Sequence, residues 1–414
     1  MKKPSLFYGW IVCLAALIIT VSYGFFYTYS AFFDPWIAEF GWSREQIASI
    51  FSIYPIVYGI SVVLLGRLTD KYGVRKVIAL GAIFLALGIG LCSQADSLWE
   101  LRLFFGIIAP IGTGAFYVPP VYCIQRWFVK RKGLAIGIVA SGVGLGTLAF
   151  APLATYLIEV VGWRITFFIF AIGLGILLLT AAAIIRADPG DKGLKPYGYE
   201  AGERSESNKS LEQTRGLTVS QALGTASFWF LYVPYALGFA CLTLVMVHII
   251  PHAGDIGIPR MIAAGALSLL GVFNIIGRIA MGGISDRLGR KRGLVVSYAL
   301  TAVAMLGFLM TRDVLVLYLS AGLLGFAYGG FVAQYAAIVG DYFGLASLGM
   351  ILAIATTAYG IGGAIGSYMG GVIFQHTASY HLAFLVCILL SVLAVIATTF
   401  LKPPKLAKAT MLSP

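Results

Sequence analysis

Charge is scarce in this chain. Of its 414 residues only 11% are Asp, Glu, Lys or Arg, while 59% are hydrophobic and the mean hydropathy is +0.91. Soluble domains carry about 25% charged residues, so this chain lacks the polar surface to cover itself in water. That excludes a soluble enzyme. Histidine is limited to four residues and cysteine to five, Cys13, Cys92, Cys123, Cys241 and Cys387. The cysteines stand singly inside apolar runs, without CxxC or His-bracketed spacing, which argues against disulfides, zinc and thiol redox chemistry. They read as small core residues. With no paired carboxylates, metal cluster or nucleophile constellation at a common depth, neither enzymatic activity nor a cofactor is expected. Acidic residues are the scarcer sign, 17 against 29 basic, giving a net charge of +12. A basic excess suits nucleic acid or the cytoplasmic loops of a membrane protein, and its placement decides between them.

Long apolar runs are plentiful. A bilayer core of about 30 Å needs ~20 apolar residues per helix, and twelve stretches qualify: 7–33, 45–69, 76–94, 98–127, 133–159, 163–185, 226–251, 260–285, 293–311, 313–341, 346–375 and 380–401. The first exceeds the ~7–15-residue core of a cleavable signal and has no A-x-A site, so it is expected to remain as a span. The one long connection is rich in Glu, Lys, Ser and Gly around Gly202 to Ser210, a composition that does not build a core. The expected organisation is a six-helix bundle over 1–186, a cytoplasmic linker over 187–224 and a second six-helix bundle over 225–414.

The basic residues sort by side. Twenty-three of them fall on the side of both termini, among them Lys2, Lys3, Arg75, Lys130, Arg131, Arg287 and Lys291, while Arg44, Arg102, Arg164, Arg260 and Arg312 fall opposite. The positive-inside rule places both termini in the cytoplasm. Short termini and a short linker point to a bacterial inner-membrane protein working as a monomer, with the lipid bilayer rather than nucleic acid as its surroundings. One basic residue, Arg278, belongs to neither side: it lies inside the eighth span.

The chain repeats itself. Gly66-Arg67-Leu68-Thr69-Asp70-Lys71-Tyr72-Gly73-Val74-Arg75-Lys76 after the second span matches Gly282-Gly283-Ile284-Ser285-Asp286-Arg287-Leu288-Gly289-Arg290-Lys291-Arg292 after the eighth, the aspartates 216 residues apart. Arg126-Trp127-Phe128 and Asp341-Tyr342-Phe343 agree at an offset of 215. Two matches at nearly one offset indicate two parallel six-helix repeats. Asp70 and Asp286, with Arg75 and Arg290 as hydrogen-bond donors, are expected to form a cytoplasmic gate. Both copies resemble the loop signature of the major facilitator superfamily. That resemblance implies an all-α membrane fold of twelve helices in two pseudo-symmetric bundles, working as a secondary transporter.

A central Arg costs about 2.5–3.5 kcal/mol to insert, and such residues normally face a cavity. Asp34, Asp70, Asp286 and Asp341 sit at span ends, so no carboxylate shares the depth of Arg278. The substrate is therefore expected to be its counter-ion. A guanidinium matches a carboxylate in two parallel hydrogen bonds, and Asn274, four residues earlier and so on the same face, adds a hydrogen bond. One deep cation fits a monoanion better than a dicarboxylate. Tyr27 in the first span, Tyr117 in the fourth, and Tyr328, Phe331 and Tyr335 at i, i+3, i+7 in the tenth are the expected aromatic lining. His248, His252, His376 and His381 cluster near extracellular span ends, where a proton-loading role competes with an interfacial one. Asp34 is a further candidate proton acceptor.

Phe7-Tyr8-Gly9-Trp10, the stretch Phe32-Phe33 to Ile47, and Arg126 to Gly137 resemble the monocarboxylate transporter family, in its bacterial type, and the related oxalate:formate antiporters. The resemblance implies that Arg278 is the substrate-binding arginine. It also exposes departures: Asn274 stands where animal members carry Asp, Tyr27 where they carry Lys, and Ala355 near the second cation of the oxalate antiporter. The expected function is transport of a short monocarboxylate such as lactate or pyruvate, with a proton, by alternating access. The alternatives are an organic-anion exchanger of oxalate/formate type and a non-transporting carboxylate sensor on the same scaffold.

Overall fold

The computed structural model describes residues 7–199, 216–344 and 347–404, apart from the side chains of Asp70 and Asp286. Eleven helices among them are long and apolar enough to cross a membrane. One of these, Lys132–Ile184, is two spans, because Gly162 interrupts it at φ 79° and ψ 163°, a conformation that glycine adopts without a Cβ penalty. The twelve spans are α1 (Tyr8–Phe40), α2 (Arg44–Tyr72), α3 (Val74–Cys92), α4 (Leu98–Trp127), α5 (132–161), α6 (163–184), α7 (Ala226–Asp255), α8 (Arg260–Leu288), α9 (Arg290–Leu309), α10 (Val314–Phe343), α11 (Leu348–Thr377) and α12 (His381–Thr399).

Local chemistry sets the ends and the breaks. Ser43 opens α2 with a capping box, its hydroxyl accepting from the Gln46 amide at 3.1 Å while Gln46 Oε1 accepts from the Ser43 amide at 2.9 Å; Ser97 and Glu100 do the same for α4, each box satisfying two orphan donors. In α1 the segment Tyr23–Phe32 tightens into a 3₁₀ helix. In α4 a π-helical turn at Phe104–Ile108 precedes Pro110, regular helix stops after Thr113, and Pro119 and Pro120 lie in the first turn of Val118–Trp127. Prolines remove donors and clash with the preceding turn, and α4 is two helical pieces, Leu98–Thr113 and Val118–Trp127, rather than one rod.

Contacts divide the chain into two compact units, Met1–Glu200 and Ala201–Pro414. In the first, α1 packs on α5, α2 on α4 and α3 on α6; in the second, α7 packs on α11, α8 on α10 and α9 on α12. Adding six to each index maps one set onto the other, so the sequence repeat is a repeat of helix pairing. The hinges repeat too: α2 passes into α3 through Gly73 at φ 84°, ψ 152°, and α8 into α9 through Gly289 at φ 89°, ψ 142°.

Glycines of α11 let it touch α7, since a Cβ on Gly362 or Gly366 would overlap the carbonyl oxygens of Ala236 or Ala240. The first glycines of α5 have no such role. A Cβ on Gly133 or Gly137 would meet nothing within 4 Å, and α1 approaches instead at Gly142 and Gly146, where the Thr20 hydroxyl donates to the Val139 carbonyl at 2.6 Å.

Much of the connecting segment is built onto the units. Tyr197 donates its amide to the Trp127 carbonyl at 2.8 Å and its ring packs on Phe7, Trp10 and Phe128. The Leu217 amide bonds the Phe343 carbonyl at 2.8 Å, and Thr218 caps the short helix Val219–Leu223. The polar stretch Gly202 to Ser210 lies outside the described residues. All five cysteines are buried and free.

Candidate substrate site

The site in the second unit begins with a backbone contact. On α10, a Cβ at Gly325 would overlap the Leu270 carbonyl of α8, and one at Gly329 would overlap the Asn274 carbonyl and stand 2.7 Å from the Arg278 amide nitrogen. Gly277 of α8 faces the Phe326 carbonyl in the same way. Glycines at these positions let the two helices touch, and the crossing falls at the turn of α8 that carries Asn274 and Arg278.

Asn274 and Arg278 are brought together as their spacing predicts. Arg278 Nε donates to Asn274 Oδ1 at 3.2 Å, and the guanidinium lies 5.9 Å from the Tyr328 ring centroid, at the outer edge of a cation–π contact. Arg278 is half-buried. Asn274 is 1% exposed, and its Nδ2 has no hydrogen-bond partner among the described residues. An orphan buried donor of this kind costs about 1–3 kcal/mol. Because the Arg278 donor fixes Oδ1 toward itself, the Asn274 amide presents N–H groups. A cation therefore stands beside an amide that presents an unsatisfied donor, the chemistry that an oxyanion's acceptors match.

Beyond Tyr328 the aromatic face of α10 is packed. Phe331 lies against Tyr235 and Phe239 of α7, Tyr298 of α9 and Tyr328. Tyr335 stacks on Tyr235 with centroids 3.7 Å apart and planes at 16°. Its hydroxyl is buried without a hydrogen-bond partner among the described residues. Tyr359 of α11 closes the cluster against Phe239. Spacing within α10 finds Tyr328, Phe331 and Tyr335; the partners on α7, α9 and α11 escape it, because nothing local in sequence says which helices adjoin.

The remaining candidates belong to other places. Tyr27 is buried in the 3₁₀ segment of α1, its ring 5.9 Å from Tyr23. Tyr117 stands in the break of α4, half-buried, rather than within a continuous helix. Asp34 opens the last helical segment of α1. Of the gate residues, the side chains of Asp70 and Asp286 lie outside the described set, and Arg75 is exposed. Arg290 pairs with Asp341 at 3.4 Å and donates to the Ser285 hydroxyl at 3.1 Å. At the repeat-equivalent of Asp341 the first unit has Arg126, which pairs with Asp188 at 3.6 Å and lies over the Tyr122 ring.

Two six-helix units with one pairing pattern, and an arginine within a span, define a duplicated helical membrane protein. The chain belongs to the Major Facilitator Superfamily, whose profile matches residues 15–314 and 228–411. It is 26% identical to the uncharacterized MFS-type transporter YhjX of Escherichia coli (strain K12), with 85% of each chain covered. It is also 26% identical to monocarboxylate transporter 13 of Rattus norvegicus, over 93% of this chain and 87% of that one, and to the oxalate:formate antiporter of Oxalobacter formigenes, over 94% and 90%. Among solved structures it is similar in fold to a bacterial homolog of the human lysosomal transporter Spinster in an inward-facing, occupied conformation, with TM-score 0.72 and 15% identity over 99% of this chain and 98% of that one.

Proposed function

We propose that this protein carries short monocarboxylates, lactate or pyruvate being the reference substrates, together with a proton across the bacterial inner membrane. The observation that carries the reading is the orphan Asn274 amide beside the Arg278 guanidinium. A monocarboxylate brings one negative charge and two or three oxygen acceptors, which satisfies the orphan Asn274 donor and balances the cation beside it. Relatives that include monocarboxylate transporters and an oxalate:formate antiporter support the substrate class. Tyr328, Phe331 and Tyr335 supply the apolar face in this reading. The carrier works as a monomer by alternating access, both termini cytoplasmic, with the loops of Asp70, Arg75, Asp286 and Arg290 latching that side.

The test is uptake of labelled lactate into proteoliposomes under an imposed pH gradient, beside uptake driven only by internal monocarboxylate at equal pH. Gradient-driven accumulation supports symport, and exchange without it supports the antiporter alternative. Binding without flux in either arm identifies a sensor. Wild-type uptake that Arg278→Ala leaves intact overturns the assignment of the site.

A further inference from the structure

We propose that His248 of α7 is the proton-carrying group of this transporter, gaining and losing a proton at Nδ1 while the Tyr380 hydroxyl rotates from donor to acceptor. The inference rests on the proton-coupled reading above and gives the proton a site of its own.

His248 is 1% exposed. Its Nε2 lies 2.8 Å from the Ser367 carbonyl of α11, and its Nδ1 lies 3.1 Å from the Tyr380 hydroxyl at the start of α12. A carbonyl only accepts, so Nε2 carries the hydrogen and Nδ1 receives a hydrogen bond from Tyr380. A proton arriving at Nδ1 turns that nitrogen into a donor. The Tyr380 oxygen accepts it once its own hydrogen swings away, since a hydroxyl serves in either sense. Both charge states thus keep a partner at each ring nitrogen, which a buried imidazolium requires. Helix α11 is shaped around the ring: a Cβ on Gly370 would stand 2.5 Å from Cδ2 and 2.7 Å from Nε2.

The titratable groups that the structure shows around this ring are on its own helix and on its neighbours α11 and α12. Tyr380 is its partner, and His252, one turn on in α7, packs its ring edge-on against Tyr380 and Phe384. From Gly360 to Gln375, α11 has no acidic or basic side chain, and neither does α12 after His381. Asp255, Arg260, Arg312, Asp313, His376 and His381 are exposed at the helix ends and turns of the same end of the unit. His248 precedes the Asp255 end of α7 by seven residues, and Arg278 follows the adjoining Arg260 start of α8 by eighteen. At 1.5 Å per residue the two sites lie roughly 17 Å apart along the helices. The link between them is the α7–α11 pair, which His248 bridges at one level and which supplies Tyr235, Phe239 and Tyr359 to the cluster around Tyr328 and Phe331 at the other.

The deciding experiment has two arms. In proteoliposomes, a gradient of one pH unit drives up to about tenfold accumulation at one proton per monocarboxylate. His248→Gln keeps a donor toward Ser367 but has no titratable nitrogen. We expect it to lose gradient-driven accumulation while counterflow at equal pH persists, and His252→Gln to retain both. Accumulation by His248→Gln equal to wild type overturns the proposal. The second arm follows the ring nitrogens of ¹⁵N-histidine-labelled protein by NMR without substrate, the four residues assigned by substitution. His248 is expected as the neutral Nε2–H form at high pH and doubly protonated at low pH. A ring that stays neutral throughout the folded range overturns the proposal, even if no monocarboxylate is carried and the substrate reading fails instead.

Discussion

Arg278 reaches back one helical turn to hydrogen-bond Asn274 through Nε at 3.2 Å, and that bond fixes the plane of the guanidinium. An arginine so placed is oriented in advance for the anion proposed to bind it. Side-chain freedom is then restricted in the empty carrier, so less is lost on binding.

Removing the charge should abolish the site. Arg278→Ala forfeits a charge-assisted pair worth about 2–5 kcal/mol in truncation experiments, so binding of the carried anion should weaken by about 30-fold or more. Arg278→Lys keeps the charge but loses the planar fork, and is expected between the two. Binding titration of purified protein checks both, with folding monitored by thermal unfolding. Equal affinity in Arg278→Ala and wild type would place the anion elsewhere.

Asn274→Leu separates orientation from charge. The variant removes the acceptor that holds Arg278 and the orphan amide, a hydrogen bond to a charged group being worth about 1.5–3 kcal/mol. Thermal stability should hold or rise, because a buried unsatisfied donor disappears with it. Substrate KM should rise at least tenfold with a smaller change in maximal rate. A fall in both stability and rate with KM unchanged would mark Asn274 as structural.

Arg278 was legible in the sequence because charge sorting by side left it over, and Asn274 because four residues make one turn. Twelve spans and a two-fold repeat followed from hydropathy and two matched loops. The π turn and the break that give Tyr117 its place in α4 were less so: the prolines mark trouble without saying how the backbone resolves it. The partners of Tyr335 and His248 were not legible, since Tyr235 is 100 residues away and Tyr380 132, and contact at that range is a property of helix packing.

Tyr335 tests how far the aromatic face takes part. Tyr335→Phe preserves the 3.7 Å stack on Tyr235 and removes a hydroxyl that is buried without a partner among the described residues. Stability is expected to stay level or rise. If the hydroxyl reaches the substrate, the loss of one neutral hydrogen bond, about 1 kcal/mol, raises KM about fivefold. Unchanged KM confines Tyr335 to packing.

The crossing of α8 and α10 gives the sharpest steric prediction. Gly329→Ala places a methyl group on the Asn274 carbonyl and the Arg278 amide, whereas Gly322→Ala, two turns away on the same helix, meets Phe273 no closer than 3.4 Å. Overpacking a tight contact costs typically about 1–3 kcal/mol, and separating the helices moves Asn274 and Arg278 away from Tyr328. Gly329→Ala should therefore lower the unfolding temperature and weaken substrate binding together. Gly322→Ala should do neither, because helix propensity favours Ala by up to about 1 kcal/mol and ordinary van der Waals contact absorbs the methyl. Equal behaviour of the two variants would remove the crossing as the element that positions the arginine.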